Sequence, residues 1–171
     1  DSGKIPIHLN LSSFSMTPAI KSLEKAKAAF KIHEYHHDAA AESYGLEAAE
    51  KLAVDAGRVF KTLVVILDNK EFAVGIVPVC AMLSMKQIAK AAGAKKAAMA
   101  DKQAVERITG YVLGGVSPFG QKKTLKTFID STSQHYSSIY VSAGRRGLEV
   151  EVTSDVFRTV LRADFFNLIQ E

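Results

Sequence analysis

Lys61 is the residue that a purely structural reading accommodates least easily. It stands in VFKTLVVIL, residues 59–67, where Val59, Phe60, Leu63, Val64, Val65, Ile66 and Leu67 are all apolar. Strand alternation puts Lys61 on the face of Val59 and Leu63, opposite Phe60, Thr62 and Val64. A charge on a mainly apolar face is costly unless it is paired, functional, or able to reach water along its aliphatic stem. Pointed into a pocket, a lysine can bind an anion, stabilise developing negative charge, or act as a base if desolvated. Two glycine-bearing loops offer complementary chemistry. GGVSPFG, residues 114–120, packs three glycines, Ser117 and Pro118 into seven positions. Glycines let backbone N–H groups approach a ligand, as anion nests and oxyanion holes require, although an ordinary turn has the same composition. SAGRRGLE, residues 142–149, sets Arg145 and Arg146 between Gly144 and Gly147, which reads either as a basic pocket mouth or as a solvated hairpin tip.

Other chemistries are poorly served. HEYHHD, residues 33–38, holds three histidines and two acids. On a strand His33 and His37 share a face with Tyr35 while His36 points away, and no H-E-x-x-H spacing exists, so a metal site is not expected. Tyr35 could instead line a pocket. Cys80 is the only cysteine, which excludes an intrachain disulfide and a cysteine-based zinc site. In PVCAML it reads as a small core residue, not a nucleophile. Neither the Rossmann G-x-G-x-x-G, the Walker A pattern nor a G-x-S-x-G elbow is present.

The elements that must position these groups follow from periodicity and caps. Ile20, Leu23 and Phe30 mark an amphipathic helix over about 18–29, with Thr17 as cap and Pro18 at its first position. FKIHEYHHD suggests a short strand. A second helix is expected near 46–54, with Leu46, Ala49, Leu52 and Ala53 on one side. Residues 59–78 read as a hairpin turned at DNK, 68–70. Ser84 and Gln87 stand at capping-box spacing for a helix that Gly93 stops, and Asp101 caps another that Gly110 stops. KKAAMA, TFID, SSIYVSA and GLEVEV predict short strands, and YVLGGVSPFGQKK predicts a strand entering a loop. The closing stretch, 154–171, is expected to be helix with Ser154 as its cap.

This order implies an α+β fold with a mixed, mainly antiparallel, barrel-like sheet and surrounding helices. The 171 residues, 47% hydrophobic and 23% charged, suit one domain of ordinary size. Residues 1–15, Ser-rich and aperiodic, read as a leader or vector-derived segment before MTP, leaving 16–171 as the folded domain. No apolar run reaches the length of a membrane span, and the lone thiol fits a reducing cytoplasm. The formal charge of +4 permits an anionic partner. Lys95, Lys96, Lys122, Lys123, Arg145 and Arg146 would form a basic rim for a phosphate backbone if their loops converge. A DNA-reading role lacks a recognition helix.

MTPAIKSLEKAKAAF, VFKTLVV, AKAAGAKK, TGYVLGGVSPFGQKK and IYVSAGRRGLEVEV, in that order, closely resemble the YbaK family, free-standing relatives of the editing domain inserted in bacterial prolyl-tRNA synthetase. The resemblance covers residues 16 to about 168. It implies hydrolysis of mischarged aminoacyl-tRNA, specifically Cys-tRNA(Pro), with no cofactor or metal, in the cytoplasm and beside prolyl-tRNA synthetase. The family's lysine falls on Lys61 and its G-x-x-x-P loop on Gly114 to Pro118. By the same resemblance Lys61 and the backbone of Gly114, Gly115 and Ser117 carry catalysis. Tyr35, Thr62, Val116, Pro118, Ser142 and Gly144 then surround the substrate. GLEVEV carries glutamates where some relatives have an aspartate. With no convincing protein nucleophile, the route that the resemblance implies is attack by the cysteinyl thiol on its own ester, with direct attack by water second. A non-catalytic module that holds an aminoacyl or nucleotide end, and a deacylase for Ala-tRNA(Pro), are the alternatives.

Overall fold

A computed structural model describes residues 16–41 and 43–170; the expected leader, 1–15, lies outside them. Helix α1, Pro18–Lys25, starts where Thr17 Oγ1 accepts the Ile20 N–H, and it buries Ala19, Ile20 and Leu23. It stops short of residue 29 because Lys27 turns into the left-handed region and the Ala28 N–H closes back on the Leu23 carbonyl. Strand β1 is Lys31–Glu34 and helix α2 is Tyr44–Lys51, capped by Ser43. Helix α2 therefore begins two residues earlier than its apolar pattern suggests. Its buried face is Ala48 and Ala49, and Leu46 is left exposed. Gly45 explains the shift: a Cβ there would sit 2.2 Å from Val79, so only glycine lets the first turn pack so closely.

Strands β2, Phe60–Leu67, and β3, Glu71–Pro78, form the expected hairpin. Both turn residues, Asp68 and Asn69, take positive φ, as tight hairpin turns require. Helices α3, Met85–Ala92, and α4, Lys102–Thr109, flank the short strand β4, Ala97–Met99. Their caps are the predicted ones. Ser84 accepts from the Gln87 N–H and Asp101 from the Ala104 N–H, and Gly93 and Gly110 end the helices at positive φ. Strands β5, Lys126–Asp130, β6, Ile139–Arg145, and β7, Leu148–Val152, follow, then helix α5, Ser154–Leu161.

Three expectations fail here. Residues 111–125 contain no strand; the Tyr111 hydroxyl donates to the Phe119 carbonyl across an irregular loop. The closing helix ends at Leu161, because Arg162 is left-handed and Asp164–Phe166 form strand β8 beside β5. The Asp130 carboxylate accepts the Leu168 N–H and fixes that tail. Thr153, not Ser154, is the α5 cap, without a side-chain bond.

The strands make two sheets, β1-β7-β6, all antiparallel, and β4-β2-β3-β5-β8, in which β3-β5 and β5-β8 are parallel. An isolated parallel bridge, Val59 to Tyr140, joins them where β2 begins. Among the described residues the ring does not close into a barrel. The main core lies between them, with Val141, Ala143, Leu148 and Val150 facing Val64, Val74 and Ile76. A second core, with Val65, Leu67, Val77 and Ile88, covers the other face of β2 and β3. A third, with Ala48, Ala49, Val59 and Tyr140, lies under α2.

Candidate active site

Near the Val59–Tyr140 bridge the chain leaves a cavity of about 460 Å³, within the range of small-molecule sites. Lys61 and Thr62 reach it from β2, Ser142 from β6, Glu149 from β7, and Gly114 and Val116 from the loop after α4. Tyr35, just past β1, and the first turn of α2 complete the wall. Lys61 is part-buried and takes part in none of the ion pairs among the described residues. Burial holds its ammonium below the usual lysine range. A cation that is desolvated but unpaired is poised to accept an anionic or strongly dipolar ligand. The Thr62 hydroxyl is also buried without a partner among the described residues.

The glycine loop is clamped from both sides. Gly114 has φ +93°, and a Cβ there would stand 2.5 Å from the Tyr44 ring and 2.9 Å from Arg146 Nε. The Arg146 guanidinium lies 3.7 Å from the centroid of that ring, a cation–π stack, and donates to the Leu113 carbonyl. A Cβ on Gly115 would meet the Arg145 backbone at 3.0 Å. Three chain segments thus lock one another at the cavity mouth. The Gly115 N–H is already spent on the Val112 carbonyl, and Leu113, Gly114 and Val116 are the loop residues that line the cavity.

The predicted site residues divide accordingly. Tyr35, Lys61, Thr62, Gly114, Val116, Ser142, Arg145 and Arg146 come together around the cavity. Ser117 does not: it is fully buried in the loop, where its Oγ accepts the Phe119 N–H. Pro118 faces a separate depression shared with Lys123. Gly144 lies behind the wall, packed toward Tyr111 and Thr17, and donates its N–H to Ser142 Oγ. The basic residues do not form one rim. Lys95 and Lys96 sit at the far end of β2, their N–H groups on the Asp68 carboxylate, about 20 Å along the strand from Lys61. The N–H groups of Lys122 and Lys123 close on the end of α4. Cys80, expected in the core, is exposed on the turn after β3.

Two of the three histidines at 33–37 are engaged elsewhere: His33 with Glu151, and His37 with Glu47. No group of three His, Cys, Asp or Glu among the described residues is placed to hold a metal. The cavity lining contains neither histidine nor cysteine. Its serines therefore lack a histidine base, and Lys61 and Glu149 are the lining groups able to take up a proton.

Comparison with known proteins assigns the architecture. The aminoacyl-tRNA editing domain family matches residues 39–160. A protein of Enterococcus faecalis, provisionally named Cys-tRNA(Pro)/Cys-tRNA(Cys) deacylase EbsC, is 36% identical over 152 residues, covering 87% of this chain and 90% of its own. The chain belongs to the aminoacyl-tRNA editing domain family. The editing-domain fold recurs in solved structures. A scaffold protein from work on epitope backbone grafting superposes with a TM-score of 0.82 at 22% identity, covering 94% of this chain and 99% of its own. A structure provisionally described as a trans-editing enzyme for prolyl tRNA synthetase gives 0.78 at 20% identity, with 91% and 99% covered. At these identities the two structures speak for the fold alone.

Sequence reasoning missed three parts of this editing-domain cavity. Tyr44 and Gly45 of α2 lie before the helix expected at 46–54 and carry no pattern that marks them as a wall. Met99 and Leu113, half exposed at the mouth, had no pattern to mark them. Glu149 carried a signal. It alternates with Leu148 and Val150, so it must lie on the sheet face opposite the main core, and that face is covered by α2.

Proposed function

We propose that this editing domain is a deacylase acting in trans on mischarged Cys-tRNA(Pro). The supporting observation is an unpaired, part-buried Lys61 beside a glycine loop, in a cavity whose lining offers no histidine or cysteine. Such a site can hold an ester and stabilise charge on its carbonyl oxygen, but it lacks the histidine–serine or histidine–cysteine pair that commonly attacks the carbon. A cysteinyl ester brings its own nucleophile. Its sulfur bonds to the carbonyl carbon, the bond from that carbon to the terminal ribose oxygen breaks, and the thiol proton passes to the ribose oxygen. The tRNA leaves, and water opens the cyclic thioester to free cysteine. Lys61 holds the ester end and balances its developing charge. In this reading the loop backbone at Gly114 and Val116 receives the oxyanion, and Thr62 and Ser142 supply hydroxyls for orientation.

The names of the relatives, a Cys-tRNA deacylase and a trans-editing enzyme for prolyl tRNA synthetase, favour the same substrate. The dispersed lysines give little surface for choosing one tRNA. Selection then comes from working beside prolyl-tRNA synthetase in the cytoplasm. No helix among the described residues is long and apolar enough to cross a membrane. The test is to incubate the protein with Cys-tRNA(Pro) and Ala-tRNA(Pro), with and without prolyl-tRNA synthetase. Cys-tRNA(Pro) is expected to be lost first and fastest. Retention of both esters would leave only a binding module.

A further inference from the structure

An acid without a partner is the least expected group in this cavity. Glu149 lies on β7, the central strand of its sheet, in register with His33 on one side and Ser142 on the other. It is 6% exposed and lines the cavity. Its neighbours under α2 are satisfied. Glu151 accepts from His33 and Ser138 and faces Arg58; Glu47 accepts from His37 and from the Asp38 N–H. Among the described residues no hydrogen bond or ion pair reaches the Glu149 carboxyl. Lys61, on another wall of the same cavity, does not pair with it. Burial alone acts on the carboxyl and pushes it up to about 8, which favours the protonated form at neutral pH. A buried acid with no partner is costly, and Glu149 borders a cavity from which a partner can come.

We propose that Glu149 binds the α-amino group of the aminoacyl ester and so distinguishes a free aminoacyl end from one whose amine is missing or blocked. This rests on reading the cavity as an aminoacyl-ester site. The ester is dipolar: its carbonyl oxygen gains negative charge on attack, and its amine is its one cationic group. Lys61 and the loop N–H groups suit the first, and Glu149 is the acid in the lining that suits the second. The protons balance. A free α-amino group titrates near 8, close to Glu149 itself, so the two share one proton. An entering neutral amine takes the carboxyl proton and forms an ion pair with no exchange with solvent. An entering ammonium sends the carboxyl proton to water. Tyr35 lies close enough to feel the Glu149 charge, and its hydroxyl, pushed up to about 12 by burial and then by that charge, remains a donor.

The test compares Cys-tRNA(Pro) with 3-mercaptopropionyl-tRNA(Pro), which keeps the thiol and the ester and lacks only the amine. Wild type should show a KM at least tenfold higher for the amine-free ester. Loss of the electron-withdrawing ammonium slows chemistry as well, but it does so in kcat and equally for every variant. In Glu149→Gln, KM for Cys-tRNA(Pro) should rise to the amine-free value and the preference should vanish. Equal wild-type KM for the two esters would overturn the assignment while leaving deacylation intact, and that comparison needs no variant to fold. A preference that survives in Glu149→Gln would overturn it as well. Wild type releasing neither ester would remove the deacylase reading itself.

Discussion

Replacing Lys61 by methionine separates what the fold wants from what the site needs. The side chain keeps its length and apolar stem, and only the ammonium is lost. That ammonium is part-buried, makes none of the ion pairs described, and is held below the usual lysine range by desolvation. A lysine with a depressed folded-state value costs stability wherever it is charged, which includes neutral pH; the cost disappears only above its unfolded value. Because the group keeps solvent contact, screening reduces that cost. Lys61→Met should then stabilise the fold by about 1 kcal/mol, the size typical when a functional site gives up a strained group. For a chain of this size that raises Tm by about 2–4 °C. Loss of one charged donor from the ester site should cost about 10²–10³ in deacylation rate. Thermal unfolding followed by circular dichroism, together with Cys-tRNA(Pro) deacylation, reads both effects. A lowered Tm would mean that Lys61 is a structural partner, and a retained rate would remove it from the chemistry.

Gly114→Ala should destabilise the protein by roughly 1–2 kcal/mol through left-handed strain and also raise KM, because its Cβ displaces the Tyr44–Arg146 stack; a native melting curve would show the loop to be less constrained. Thr62→Val, which removes a buried hydroxyl without a partner, should stabilise by up to about 1 kcal/mol and weaken substrate binding, and an unchanged KM would leave that hydroxyl without a role. S-methylcysteinyl-tRNA(Pro) should resist release by at least about 10²-fold; release at the normal rate would make water or a protein group the nucleophile. Glu149 has a folded-state value of about 8, above its unfolded value near 4.3. Its contribution to stability is therefore present below pH 4 and lost as pH rises toward 8. Glu149→Gln has no such proton to lose, so urea midpoints should favour it over wild type more at pH 8.5 than at pH 5.5, and equal differences at both would mean that the carboxyl is already partnered.

Local chemistry was legible and long-range pairing was not. The β2–β3 turn, the Ser84 and Asp101 caps and the Gly93 and Gly110 stops are written within a few residues, and each stands where the sequence puts it. Strand β8 depends on β5 and on the Asp130–Leu168 contact, which no period records, so its apolar residues looked like more helix. The loop at 111–125 misled for a related reason. Its side chains point where Tyr111, Phe119 and Arg146 send them, so Ser117 could not be known to face inward while Val116 lines the cavity. Lys61 stood out because a charge breaks an apolar strand. Glu149 breaks its strand pattern no less, but glutamates at alternate positions read as a wet face until α2 is seen to cover it.

The Val59–Tyr140 bridge also governs when the site comes into being. It ties together residues 81 positions apart in the sequence. Closing a loop of that span carries a large entropic toll that only contacts formed afterwards can offset, and contacts so distant in sequence form slowly. Lys61 and Ser142 take their places on either side of this junction, so the cavity should mature with the late, non-local step of folding. A chain that has formed its β2–β3 hairpin and its helices but not this seam would show most of its secondary structure and no activity, and refolding followed by turnover should lag behind refolding followed by circular dichroism.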